Sequence, residues 1–322
     1  MKRLLPLLLV GALALFGTAG AKAQAWPAKP VRVIVPFAPG GPADQLGRIV
    51  AQAITDTWGQ PAVVENKAGA AGNIGVSILA KAEPDGYALG IVPVGNIAVN
   101  PSLFANLPYK ASELSPVSLL ATVENVLVVT ESVQAKNLGE LQALARERPD
   151  TLSFASPGAG SQAHLAGELL ALESNLKLVH VPYKGVGPAL NDLVGGQVTM
   201  MFAQVSAAIP FIQQGRLRPI GVASLKRSAA LPQVPTLAEQ GLPDFEAVSW
   251  YALMAPAGTP KDIVDKLNAE MSRVLSRTEF KEKFAALGME AGSGTPQEIA
   301  ARITAESARW GEVVQKRGLR AE

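Results

Sequence analysis

From about residue 30 onward the chain alternates short apolar runs with stripes in which apolar residues recur every three or four positions. The run at 31–37 reads as a buried strand, broken by Pro39-Gly40-Gly41-Pro42. A helical stripe follows in Leu46, Ile49, Val50, Ala53, Ile54 and Trp58. A strand at 62–64, a helix from Gly72 to about residue 82 and a strand at 87–94 complete a first series, with Pro84-Asp85-Gly86 as a turn. Successive β-α units of this kind predict a parallel sheet with helices on both faces.

A second series gives strands at 126–130, 152–155, 178–183, 198–202 and 220–223, with helices at 138–148, 161–172 and 188–194. It predicts a second doubly wound unit. Past residue 224 the composition changes to a proline-punctuated connection, Leu231-Pro232-Gln233-Val234-Pro235-Thr236. One strand at 247–254 and three helical stretches remain. Thr259-Pro260 is a good start for the first of them, with Ile263, Val264, Leu267, Met271, Val274 and Leu275 as its stripe. The others lie at 279–287 and 296–316. A single strand does not make a domain, so this tail is expected to complete the first unit. The expected fold class is therefore α/β with two lobes, each a doubly wound sheet flanked by helices. Residues 24–125 and 225–322 form the first lobe and 126–224 the second.

Composition narrows the chemistry. The 322 residues include no cysteine, which excludes disulfides, thiolate metal sites and a cysteine nucleophile. There are two histidines, His164 and His180, too few for a histidine-rich metal centre, and no metal or cofactor is expected. The start of the chain reads as a secretory signal peptide: Met1-Lys2-Arg3, an apolar run from residue 4, then small residues fitting a cleavage site near Ala23. A spanning helix needs about 20 apolar residues, more than this run holds. Cleavage after Ala23 removes Lys2, Arg3 and Lys22. The 29 Lys+Arg become 26 against 27 Asp+Glu, so the formal charge of +2 becomes −1. That balance gives no case for nucleic acid. The expected product is exported, with the periplasm as its compartment.

Two glycine-rich loops, one per lobe, each join a strand to a helix. The first is Phe37-Ala38-Pro39-Gly40-Gly41, with Asp44 three residues on; the second is Ser156-Pro157-Gly158-Ala159-Gly160-Ser161. Glycine admits close backbone approach, and free N–H groups at a helix start attract anions. In open α/β sheets ligands sit beyond the carboxyl ends of the strands, where both loops lie. Either loop could equally be an ordinary tight turn. His164, one turn into the following helix, could donate to a ligand or could cap and pack. His180 is structural or lies at the cleft edge. Asp44 could cap its helix or meet a ligand ammonium. Trp250 reads as core. Gly158-Ala159-Gly160-Ser161-Gln162-Ala163 fits a loose dinucleotide pattern, but no acidic residue follows where a ribose would need it. No P-loop and no nucleophile elbow is present, and two separated histidines supply no catalytic set.

These residues together carry a resemblance. Residues 26–41, opening Trp26-Pro27-Ala28-Lys29-Pro30, resemble the start of the Bug-type receptors, the substrate-binding proteins of tripartite tricarboxylate transporters. The likeness runs through Val64-Glu65-Asn66-Lys67, Gly72-Asn73-Ile74-Gly75, Pro84-Asp85-Gly86-Tyr87, Val181-Pro182-Tyr183-Lys184-Gly185 and Ala255-Pro256-Ala257-Gly258-Thr259-Pro260. It covers essentially the whole mature chain. Lys67-Ala68-Gly69 and Ser112-Glu113-Leu114 depart from the usual runs without touching the two loops.

The resemblance implies a type II periplasmic binding protein, a Venus flytrap with its ligand between the lobes. It implies a receptor for a small carboxylate, working with the membrane components of a tripartite transporter, without catalytic activity and as a monomer. Carried over residue by residue, the resemblance points to Phe37, Ala38, Pro39, Gly40 and Gly41 and to Gly160 and Ser161; Asp44, Ala159, His164 and Gln204 complete the candidate ligand set. Recognition is expected to rest on backbone N–H groups. A bulky side chain at Gly160 is expected to block binding and leave the fold intact. The rival readings are an exported enzyme on the same fold and a receptor that signals to a membrane sensor.

Overall fold

The computed structural model describes residues 26–286 and 288–321, so the signal-peptide reading lies outside the described residues. The first stretch holds β1 (Val31–Val35), α1 (Pro42–Trp58), β2 (Ala62–Asn66), α2 (Asn73–Ala80) and β3 (Ala88–Pro93). A π-helical turn (Gly95–Val99), the single-turn α3 (Asn100–Leu103) and β4 (Leu114–Val123) follow. The second stretch is β5 (Asn125–Thr130), α4 (Leu138–Glu147), β6 (Ser153–Ser156), α5 (Gln162–Glu173) and β7 (Val179–Pro182). It continues with α6 (Val186–Val194), β8 (Met200–Gln204), α7 (Val205–Gln213) and β9 (Leu217–Val222). The chain then returns with β10 (Ser249–Pro256), α8 (Lys261–Leu275), α9 (Thr278–Ala286), β11 (Met289–Ala291) and α10 (Pro296–Lys316).

Two sheets result, of order β11-β4-β10-β3-β1-β2 and β7-β6-β8-β5-β9. The fold is the expected two-lobe α/β arrangement, but neither sheet is purely parallel. β1 runs parallel to β2 and β3, whereas β10 lies antiparallel to both β3 and β4. In the second sheet β6 is parallel to β7 and β8, and β5 is antiparallel to β8 and β9. The reversed strands are β5, β10 and β11, the first two of which begin just after the chain has crossed between lobes. Apolar runs mark a buried strand without marking its direction, which is why the sequence did not separate them.

Each sheet buries apolar residues on both faces. In the first lobe one face packs Val33, Val35, Leu89 and Leu253 under α1 and α8. The stripe Ile263, Val264, Leu267, Met271, Val274 and Leu275 is buried as expected. The other face carries Ile34, Val76, Leu79 and Trp250, and Trp250 is fully buried core. In the second lobe, α5 and β6 join a cluster that also takes Val99 and Leu103 from the first lobe and Trp310, Val313 and Val314 from α10. The last helix therefore belongs to the cores of both lobes, since Ile299 near its start packs in the first.

Four elements lay outside the sequence reading: the π-helical turn with α3, β4, α7 and β11. Pro116 interrupts β4 and Pro210 lies inside α7, so both look like breaks. Trp310→Ala should cost about 3–5 kcal/mol, because the indole is fully buried where both lobes meet. Denaturant unfolding should read that loss as a lower midpoint; an unchanged midpoint would show that α10 is not part of the shared core.

Candidate ligand-binding cleft

The loops after β1, β2 and β3 leave the first sheet at one carboxyl edge, and those after β6, β7 and β8 leave the second in the same way. The lobes meet along these edges. A methyl group placed on Gly95 would come 2.7 Å from the Gly160 carbonyl oxygen, and one on Gly158 would stand 3.7 Å from Cβ of Ala71.

In the first loop Gly40 adopts φ +96°, a left-handed conformation that favours glycine, and Gly41 caps α1 without a side-chain bond. Asp44 is 3% exposed and turns back on the loop. Its carboxylate accepts from Gly40 N–H (3.1 Å), Asn66 Nδ2 (3.1 Å) and Arg48 Nε (3.0 Å). Burial raises its pKa, but Arg48, the Gly40 N–H and Asn66 outweigh that and hold the carboxyl below its usual range. Asn66 Nδ2 also donates to the Phe37 carbonyl (3.0 Å). Asp44 thus shapes the loop with its oxygens engaged on the protein. Among the described residues the N–H groups of Ala38, Gly41 and Ala43 have no protein acceptor. Phe37 is half-buried, and Ala38, Pro39 and Gly40 are exposed.

In the second loop Ser161 caps α5. Its Oγ accepts from His164 N–H (3.3 Å) and donates to the Gly158 carbonyl (2.7 Å). Gly160 N–H donates to His164 Nδ1 (3.2 Å). His164 is 5% exposed, stacked on His180 with ring centroids 3.9 Å apart, and its Nε2 lies 3.7 Å from Glu168 Oε1. Of the two sequence readings for this histidine, the buried capping one describes what its nitrogens do. Gly160 is also buried: a Cβ there would overlap Asn100 Oδ1 and press on Leu103 and Phe104. The N–H groups left without a protein acceptor, among the described residues, are those of Ala159, Gln162 and Ala163. Gln204 sits at the back, its Nε2 donating to Tyr251 Oη (3.1 Å) across the crossing between lobes.

A third segment, missed by the sequence reading, lies between β2 and α2. Gly69, Ala70, Ala71 and Gly72 all have positive φ, at +135°, +46°, +52° and +92°. Non-glycine residues in this region cost about 1–2 kcal/mol each. What holds them is a buried knot. Asn73 Oδ1 accepts from Asn96 Nδ2 (2.7 Å), Asn100 Nδ2 (2.7 Å) and Tyr109 Oη (3.0 Å), while Asn96 Nδ2 also donates to the Ala71 carbonyl (3.1 Å). Burial pushes the Tyr109 hydroxyl up to about 12, so it stays a donor. The one signal in the sequence was the pair of flanking glycines.

A groove of about 580 Å³ lies elsewhere, on the flank of the first lobe between α1, α8 and α9. Its arginines are already paired, Arg48 with Asp44, Arg273 with Glu270 and Arg277 with Glu279. The loop edges remain the better candidate, because they gather free N–H groups at two helix starts. Among the described residues no cluster of three metal-ligating side chains occurs, and no helix is long and apolar enough to cross a membrane.

Comparison with known proteins decides the family. Residues 46–319 match the pattern of the tripartite tricarboxylate transporter family receptor, TctC. The chain belongs to that family. Among solved structures similar to this TctC receptor is Rpa4515 of R. palustris with adipate, 35% identical, TM-score 0.86, covering 92% of this chain and 99% of that one. The periplasmic binding protein BugD is 35% identical, TM-score 0.83, with 92% and 100% covered. MatC from Rhodopseudomonas palustris with bound malate is 34% identical, TM-score 0.82, with 89% and 99% covered. The family is one of periplasmic binding proteins rather than enzymes.

The expectation that bulk at Gly160 leaves the fold intact is corrected by the packing just described. In this TctC receptor Gly160→Val should lower the melting temperature by several degrees in the absence of any ligand, since Asn100 and Leu103 leave no room. A variant that melts like the parent would place Gly160 away from the lobe contact.

Proposed function

We propose that this receptor binds a small organic acid between its lobes, a mono-, di- or tricarboxylate or an acidic amino acid. It delivers that acid to the membrane components of a tripartite transporter and acts as a monomer in the periplasm. The observation that supports the reading best is the set of unclaimed N–H groups at the starts of α1 and α5, with Asp44 turned inward and paired. The likeness to the adipate and malate complexes supports the same ligand class.

In this reading Phe37–Gly41 and Ala159–Ser161 form the two walls. A carboxylate receives hydrogen bonds from backbone N–H groups and the favourable end of each helix dipole, roughly 0.3–2 kcal/mol per helix, with charge-assisted bonds added. No arginine or lysine stands in either loop, so recognition needs no side-chain cation. Asp44 works as a strut for the first loop, and His164 for the second. Gln204 and Tyr251 form the floor.

A ligand that touches both lobes favours the closed form by its differential affinity. At a hundredfold excess over its Kd it should add roughly 2.7 kcal/mol of stability, several degrees in melting temperature at this size. Malate, adipate and glutamate are the probes, with sugars and cationic amines as controls; scattering should show a smaller radius of gyration with the acid bound. Shifts given by the sugars or amines and withheld by the acids would defeat the reading. Export has its own check: protein recovered from the periplasm should begin near Gln24 or Trp26, and an intact Met1 there would overturn the cleavable signal.

A further inference from the structure

Beneath the second loop lies an arrangement that the strut role of His164 does not exhaust. His164 on α5 and His180 on β7 stack face to face, with centroids 3.9 Å apart and planes 23° from parallel. Phe154 of β6 stacks on His180 at 4.9 Å. Each imidazole holds one part of the loop. His164 Nδ1 accepts the Gly160 N–H (3.2 Å). His180 Nε2 is 2.7 Å from Ser156 Oγ, and that hydroxyl accepts the Gly158 N–H (3.2 Å).

We propose that the stacked pair His164 and His180 are positioning residues that set the shape of the Gly158–Gly160 loop, and that they do so only as neutral rings. Accepting from Gly160 fixes His164 as the tautomer with its proton on Nε2, which faces Glu168 Oε1 at 3.7 Å. A second proton would have to sit on Nδ1, against the Gly160 N–H. Two donors would then face each other, and the loop would have to turn. A charge on either ring would also lie against the other ring at stacking distance.

The surroundings keep both rings neutral at ordinary pH. Burial and the neighbouring His180 lower His164 from 6.5 to about 3, and burial lowers His180 to about 4. The charged groups facing the pair are Glu168 on α5 and Arg317 just past α10. Arg317 Nε binds Glu168 Oε2 at 2.8 Å and so takes up the carboxylate charge that would otherwise draw a proton to His164. β6 contributes Phe154 and Ser156, neither of them charged, and neither the glycine loop nor α3 carries a titratable group. The sign follows. Below about pH 6.5 the unfolded chain takes up protons that the folded rings refuse, so stability declines as pH falls. The loop keeps its shape until the folded rings themselves titrate, near pH 4. Because the rings are coupled, the steps belong to the pair.

This proposal rests on the reading that the second loop meets the ligand, and the test separates the two. Nitrogen and amide resonances of the ligand-free protein should show His164 Nδ1 as an unprotonated acceptor. The Gly158 and Gly160 amides should stay still from pH 8 to 5 and move together below about pH 4. A His164 that titrates near 6.5, or amides that ignore its titration, would overturn the proposal without any ligand. With adipate and malate as calorimetric probes, His164→Ala should weaken binding at least tenfold at pH 7. His164→Asn, whose Oδ1 can accept the same N–H and cannot be protonated, should recover most of that loss. It should also keep its affinity at pH 4 better than the parent does, a comparison from which the ligand's own titration cancels. An asparagine variant as weak as alanine overturns the positioning role. A parent that binds neither acid sinks the carboxylate reading instead, and the resonances then decide the histidine proposal alone.

Discussion

A single carbonyl oxygen, Oδ1 of Asn73, organises the first-lobe side of the cleft. Two amide donors converge on it, from Asn96 and Asn100, with the Tyr109 hydroxyl shared between it and the Asn96 carbonyl, and all four side chains are buried. Each hydrogen bond contributes about 0.5–1.5 kcal/mol net, whereas an unpaired buried group costs about 1–3 kcal/mol. The knot is therefore far more expensive to open than its bonds alone suggest. It fixes the left-handed Ala70-Ala71 step through the Ala71 carbonyl and binds the β2–α2 loop to the turn after β3. That turn in turn carries Gly95 and Asn100 against Gly160. Strain in one loop, the seat of a second and the contact with the other lobe share one anchor.

Much of this was legible in the sequence, and the boundary is instructive. Helices α1, α8 and α10, each with a periodic apolar face, were found within a few residues, as were the nearly all-buried α5 and the strands β1, β3, β5 and β10. The two glycine loops were found because a strand, a glycine cluster and a helix follow one another in sequence. The knot was not, because its members are spread over 36 residues and polar side chains have no period. The same holds for His164 and His180, which lie on a helix and a strand that meet only after folding. The π-helical turn at Gly95–Val99 escaped the sequence reading for a related reason: its glycine and asparagine favour turns rather than a periodic pattern.

Charged side chains here shape the two loops, and in the proposed reading contact is left to the backbone. Asp44 is an anion close to a loop expected to hold anions, which would be a liability if its charge were free. It is held below its usual pKa, buried, and matched by Arg48 on the outer side. The repulsion is thereby spent inside the protein while the carboxylate straightens Gly40. Glu168 plays the same part in the second lobe, neutralised by Arg317 beside the histidine stack. In both lobes the groups left unclaimed at the loop are peptide N–H, held by side chains one layer behind.

The path of α10 limits how the lobes can move. Its 21 residues make a rod of about 30 Å, with Ile299 in the first-lobe core and Trp310, Val313 and Val314 in the cluster of the second. Past its end, Arg317 reaches Glu168, and Ala321 N–H donates to the Leu103 carbonyl. A helix packed into both cores resists stretching and twisting but tolerates rocking about its line of contact. The two chain crossings lie at the back as well, where Asn125 Nδ2 donates to the Ala247 carbonyl and Gln204 Nε2 to Tyr251. With the rear tied by these crossings and the long helix, the proposed site divided between two lobes calls for a hinge that opens and closes the loop edges.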